Sequence, residues 1–125
     1  MIDFDKALGI HAQALLLRAQ RTEVLAANLA NADTPRYLAR DMDFQALLDK
    51  SQRHLELSRT HEAHLSPAAD SGLLYRIPLE PAIDGNTVDP QVEKAAFLEN
   101  AMRYQATLSF LDGRIKGLLS AIRGE

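Results

Sequence analysis

Cysteine is absent from this sequence, and with it go disulfide frameworks, thiolate metal sites and cysteine nucleophiles. Aromatic residues are few as well, only 6% of 125 residues. Excess charge of one sign is small: 14 basic against 17 acidic residues gives −3, with no basic block, which argues against nucleic acid as a partner. No apolar run reaches the roughly 18 residues that a simple membrane-spanning helix needs. The N-terminal MIDFDKALGIHAQ carries two acids and no basic region ahead of an apolar run, so it does not read as a cleavable signal. A chain of this kind that leaves the cytoplasm needs another route.

What is present is alanine and leucine within a 46% apolar composition, which favours helix over sheet. From about Asp3 to Asn31 the residues Leu8, Ala12, Leu15, Ala19, Thr22, Ala26 and Leu29 recur in steps of four and three, the spacing of a coiled-coil seam. Asp3 or Asp5 is placed to cap the start. From about Asp89 to Arg123 the residues Phe97, Ala101, Tyr104, Leu108, Leu111, Ile115, Leu118 and Ile122 keep the same spacing. Asp89-Pro90 is a cap followed by proline in the first turn, and Gly124 closes the run. Gly113 and Gly117 lie inside it at about 1 kcal/mol each relative to alanine, so either the helix is weak there or another backbone comes close.

The predicted fold is mainly α. Long N- and C-terminal helices (1–34 and 89–125) pack as an antiparallel coiled-coil pair, with a small irregular, β-containing middle module (35–88) between them. In that module a short helix starts after Asp43, LLYRIPLE (73–80) is extended, and Asp84-Gly85 is a turn. A two-helix hairpin buries little. Ile10, Leu16, Leu17, Val24, Phe110 and Leu119 lie off the seam, and leaving them in water forgoes several kcal/mol at roughly 25 cal/mol per Å². Such a pair calls either for neighbouring molecules or for a helix of the middle module to complete a monomeric bundle.

Chemistry is sparse. His54, His61 and His64 are the only candidate metal cluster, and His61-Glu62-Ala63-His64 is one residue short of HExxH. The carboxylates sit in polar or turn contexts with nothing to mark a buried acid–base pair, and no GxSxG, Walker or GxGxxG pattern occurs. Arg36, Arg40, Arg53, Arg59 and Arg76 read as a charged face, or as partners for a neighbouring subunit. No catalytic residue, cofactor, metal or small-molecule substrate is expected.

The most particular wording is AANLANADTPRYLARDMDF at 26–44. Asn28 and Asn31 can cap the end of the first helix, Asp33 and Thr34 can bond local N–H groups, and Pro35 stops continuation. These residues, with Tyr37, resemble the N-terminal signature of the bacterial flagellar rod, hook and hook-associated axial proteins. Arg36 stands where many members carry glycine. ARDMDF (39–44), THEAHL (60–65), DGNTVD (84–89), Glu93, Phe97, Asn100, Tyr104-Gln105-Ala106, Phe110 and IKGLLSAIRG (115–124) extend the resemblance to a proximal-rod member.

That resemblance implies a structural, non-enzymatic subunit of the proximal rod, a helically assembled drive shaft needed for motility. It implies export without a cleavable leader through the flagellar type III apparatus. It also implies a place in the periplasmic basal body beside copies of itself, other rod proteins, and membrane-ring and rod-adaptor proteins. Leu8, Leu15, Leu29, Tyr104, Leu108, Leu111, Ile115 and Leu118 are then the subunit-packing residues, and Asn28, Asn31, Thr34, Pro35 and Tyr37 the signature that fixes the helix exit. The alternatives are another axial rod subunit, a soluble helical adaptor or export chaperone, and a small metal-dependent hydrolase using His61 and His64.

Overall fold

The computed structural model describes residues 4–57 and 72–124. The THEAHL segment with His61 and His64 lies outside them, as do Asp3 and the side chains of Asp5 and His54. The order of elements is α1 (Phe4–Ala30), β1 (Arg40–Met42), α2 (Phe44–Leu57), β2 (Leu73–Tyr75) and α3 (Pro90–Arg123). The chain is mainly helical, as expected, and the two long helices pack antiparallel. Asn28 of α1 meets Glu93 of α3, Thr22 meets Asn100, and the His11 and Phe110 rings lie 4.6 Å apart.

Each element starts and stops where local chemistry directs it. Asp89 is extended at φ −99°, and its carboxylate accepts from the Gln91 and Val92 N–H groups at the mouth of α3. Gly124 closes the helix at φ 72° and donates its N–H to the Ser120 carbonyl. Asp43 caps α2 by accepting from Ala46 N–H at 3.0 Å. Helix α1 begins before Asp5, so Asp5 is inside the helix rather than at its cap. The extended stretch expected at 73–80 is regular only over β2. There it pairs antiparallel with β1, Arg40 opposite Tyr75 and Met42 opposite Leu73.

The α1–α3 seam differs from the apolar stripes by one residue in every second step. Ala12, Ala19 and Ala26 are exposed, and the inward positions beside them are His11, Arg18 and the fully buried Leu25. On α3, Ala101, Leu108, Ile115 and Ile122 are exposed; Glu93, Asn100 and Thr107 turn inward in their place, alternating with Phe97, Tyr104, Leu111 and Leu118. Periodicity of apolar residues passes over those inner positions because, Leu25 apart, their occupants are polar.

Among the described residues the buried apolar side chains are Ala14, Leu25, Ala39 and Met42 alone. Large apolar groups are exposed in number: Leu98, Met102, Leu108, Phe110, Ile115, Leu119 and Ile122 on α3, and Ile77, Leu79 and Ile83 after β2. No helix among the described residues is long and apolar enough to cross a membrane.

Candidate functional site

The most heavily bonded part of the chain is the junction of the α1 end, the turn after it, β1, the 84–89 loop and the first turns of α3. Its centre is Asn28, fully buried. The Asn28 amide donates to the Arg40 carbonyl at 2.6 Å while its oxygen accepts from the Arg40 N–H at 3.1 Å. The side chain thus pairs with one residue of β1 as a neighbouring strand would. A carboxamide carries its donor and its acceptor on separate atoms of one planar group, so it can do both at once. Its remaining N–H goes to the Glu93 carboxylate at 3.1 Å, and Tyr37 Oη donates to its oxygen at 3.4 Å.

Glu93 is also fully buried, and its carboxylate is ion-paired. A buried carboxylate requires a cation and hydrogen bonds. Arg76 supplies the cation directly, reaching Glu93 from the residue after β2. The same guanidinium bonds Asp41 at 2.6 Å, and Asp41 holds Arg21 of α1 in a two-point contact at 2.9 and 3.1 Å. Charges alternate along the chain Arg21, Asp41, Arg76, Glu93 and sum to zero. Burial raises the Asp41 pKa, but the hydrogen bond from Arg21, the Met42 N–H and Arg76 outweigh it and hold the carboxyl below its ordinary value of 3.8. Beside this network Arg18 lies over the Phe44 ring at 4.1 Å. Burial, and then Arg103 and Arg21, push the Arg18 pKa down.

A second layer secures the turn. Asn31 donates its amide to the Ala27 carbonyl at 2.8 Å and accepts from Thr34 Oγ1 at 3.1 Å. Asn86, almost fully buried, donates its amide to the carbonyls of Asn31, Ala32 and Thr34 at 2.8–2.9 Å. Those carbonyls lie in the turn after α1, where the Asn31 oxygen also accepts from Thr34 N–H and the Thr34 oxygen from Tyr37 N–H. Thr87 N–H bonds the Tyr37 carbonyl, and Thr87 Oγ1 accepts from Ala39 N–H. DGNTVD is therefore the partner of ADTPRYL across 50 residues of chain. The left-handed residue in the turn is Arg36 at φ 61°, and neither asparagine adopts that conformation. Its N–H bonds the Asp84 carbonyl at 2.9 Å, which holds it there. This is the position where the axial family often carries glycine, the residue that adopts positive φ without strain.

The structure thus brings Asn28, Asn31, Tyr37 and the exposed Thr34 into one network and leaves Pro35 exposed beside it. Leu8, Leu15, Leu29, Tyr104, Leu111 and Leu118 lie half-buried along the hairpin, while Leu108 and Ile115 point outward, each 40% exposed. Sequence reasoning did not find the buried charge: Arg76 read as part of a charged face or as a partner for a neighbouring subunit, and the carboxylates as polar or turn residues, yet Arg76 and Asp41 close the ion chain around Glu93. The available signal was Glu93 and Asn100, seven residues apart within a helix of coiled-coil spacing. Among the described residues, Gly113 and Gly117 have no atom within 4 Å of where a Cβ would stand. With Leu8, Phe110 and Leu118 they line an open groove of about 460 Å³. Among the described residues no three His, Asp or Glu side chains are grouped to hold a metal ion.

The two helices form a hairpin that is tightly bonded at one end and exposes apolar side chains at the other. The pattern of the family described as flagella basal body rod protein matches residues 8–37, which is α1 with its signature turn. The flagellar basal body rod protein FlgB of Cereibacter sphaeroides is 48% identical over 128 residues, covering 100% of both chains. FlgB of Aeromonas hydrophila is 48% identical over 129 residues, 99% of this chain and 98% of its own. FlgB of Escherichia coli is 44% identical over 135 residues, 98% of each. The chain belongs to the FlgB family of flagellar basal body rod proteins.

Proposed function

We propose that this chain is a non-enzymatic structural subunit of the proximal rod, and that it assembles helically with copies of itself and neighbouring rod proteins into the shaft that carries torque from membrane ring to hook. The supporting observation is the outward apolar stripe of α3, Leu108, Ile115 and Ile122 with Leu98, Met102 and Leu119, on a chain whose buried apolar residues are so few. Monomeric proteins seldom leave such a stripe in water, and a contact between unlike surfaces that does not close propagates as a helix. In this reading the half-buried Leu8, Leu15, Leu29, Tyr104, Leu111 and Leu118 complete the packing when neighbours arrive. Thr34 and Pro35 present the turn to an adjacent subunit. The three parts 1–34, 35–88 and 89–125 serve as inner helix, outer module and inner helix.

Rod-adaptor and membrane-ring proteins are the partners at the base, the type III apparatus is the export route without a cleaved leader, and the periplasmic part of the basal body is the location. The test is complementation of a strain lacking the gene. Ile115→Asp should secrete normally yet give no swimming and no rods in purified basal bodies. Wild-type rods carrying Ile115→Asp would remove the outer stripe from the assembly.

A further inference from the structure

We propose that Asn100, acting with the Asn28–Glu93 contact one heptad away, is a register key: it makes α1 and α3 of one chain pair with each other in a single alignment and rejects other apolar helices as partners. This goes beyond the rod reading and is testable without it. Asn100 is fully buried in the middle of α3, where its amide donates to the Arg18 carbonyl at 3.0 Å and to Thr22 Oγ1 at 2.8 Å. Its own oxygen and Arg18 Nε are buried with no hydrogen-bond partner among the described residues. A leucine there would remove the unpaired Asn100 oxygen while leaving Arg18 Nε as it is, and replacing such a buried polar group by an apolar one is often neutral or stabilising. What a buried asparagine contributes in a helix seam is discrimination, because its bonds form in one register only.

The geometry states what is being rejected. A slide of one heptad in one direction moves Asn28 from Glu93 to Asn100, and Glu93 loses a hydrogen bond to its buried carboxylate. A slide in the other direction takes Thr22 and the Arg18 carbonyl away from Asn100. An apolar stripe with the same spacing runs down the outside of α3 through Leu108, Ile115 and Ile122, so apolar spacing alone does not separate correct from incorrect pairing. The polar residues at Asn28, Glu93 and Asn100 do, and they leave the outer stripe free.

The experiment uses the full chain, whose lack of cysteine gives disulfide reporters no background. His11→Cys with Phe110→Cys reports the native alignment, while His11→Cys with Gly117→Cys or with Arg103→Cys reports a slide of one heptad either way. Products are separated without reductant and assigned as within or between chains by mass spectrometry. In the parent the native pair should dominate. Asn100→Leu should keep its helicity and raise the slipped and interchain products relative to the native one by about tenfold, the ratio set by one lost buried polar match. Thr22→Val, which removes the hydroxyl at nearly constant volume, should raise them in the same direction. Unchanged ratios in both overturn the key. So does a loss of helicity in Asn100→Leu together with unchanged ratios in Thr22→Val, which would make Asn100 a stabilising residue only.

Discussion

The two ends of the helical hairpin are built on different principles. At the end that holds the α1 terminus, Leu25, Asn28, Glu93 and Asn100 are sealed from solvent, and the turn, β1 and the 84–89 loop close over them with hydrogen bonds. At the other end, α3 beyond Asn100 has no fully buried residue, Phe110 and Leu119 are about half exposed, and two glycines face open space. The first end is finished within one chain. The second has the surface of an element that awaits a neighbour. The proposed rod reading uses both: a locked junction to set the angle between module and shaft, and an apolar helix that would gain stability from the assembly.

That contrast is broken most severely at Glu93. Glu93→Ala strips Arg76 of one of two anions and Asn28 of an acceptor, in a place closed to water. It should cost about 3 kcal/mol, the lower part of the range for breaking a buried pair because Asp41 still holds Arg76. Chemical denaturation of the purified chain measures it; a loss below about 0.5 kcal/mol, the level of surface changes, would deny the junction its role.

Acid tests the same junction through Asp41. A carboxyl held below its ordinary value binds its proton less readily when folded. Its contribution is therefore complete above about pH 4 and is lost as pH falls from there through the lower folded value. Melting temperature followed from pH 6 down to pH 2 should drop in that window, and Asp41→Asn should flatten the drop. A decline of equal depth in the variant would assign acid sensitivity to other carboxylates.

Arg36→Gly sharpens the comparison in the opposite sense. Replacing a non-glycine residue at φ 61° should stabilise the junction by about 1 kcal/mol. A lower denaturation midpoint would show that the Arg36 side chain contributes more than the left-handed backbone costs. The smallest effect belongs to the open end: Leu119→Ala, 45% exposed, should change the stability of the isolated chain by less than about 0.5 kcal/mol. A loss of 2 kcal/mol or more, typical of a core leucine, would mean that α3 is already covered there.

Local chemistry wrote the elements into the sequence plainly. Asp89-Pro90 and Gly124 bracket α3, Asp43 starts α2, and Pro35 ends any continuation of α1, because caps and proline act on backbone groups within a turn of themselves. The four-three spacing declared two long helices and a surplus of apolar surface. It did not declare which stripe faces inward. The exposed Leu108 and Ile115 stripe looks more like a core than Glu93, Asn100 and Thr107 do, yet Glu93 and Asn100 turn inward to bond across the hairpin, while Thr107 bonds the Arg103 carbonyl of its own helix. The role of Asn28 was legible as a helix stop, whereas its pairing with Arg40 and Glu93 was not.

The sequence by itself determined where helices begin and end, that they would be amphipathic, and that the chain carries a rod-family signature, since each of these rests on residues close together along the chain. Only the tertiary structure decided that DGNTVD caps the signature turn, that Arg76 reaches Glu93 and Asp41, and that a polar seam closes the hairpin while an apolar one stays outside. Those contacts join residues tens of positions apart. A charge or an amide declares its partner only when folding removes the water that would otherwise serve it.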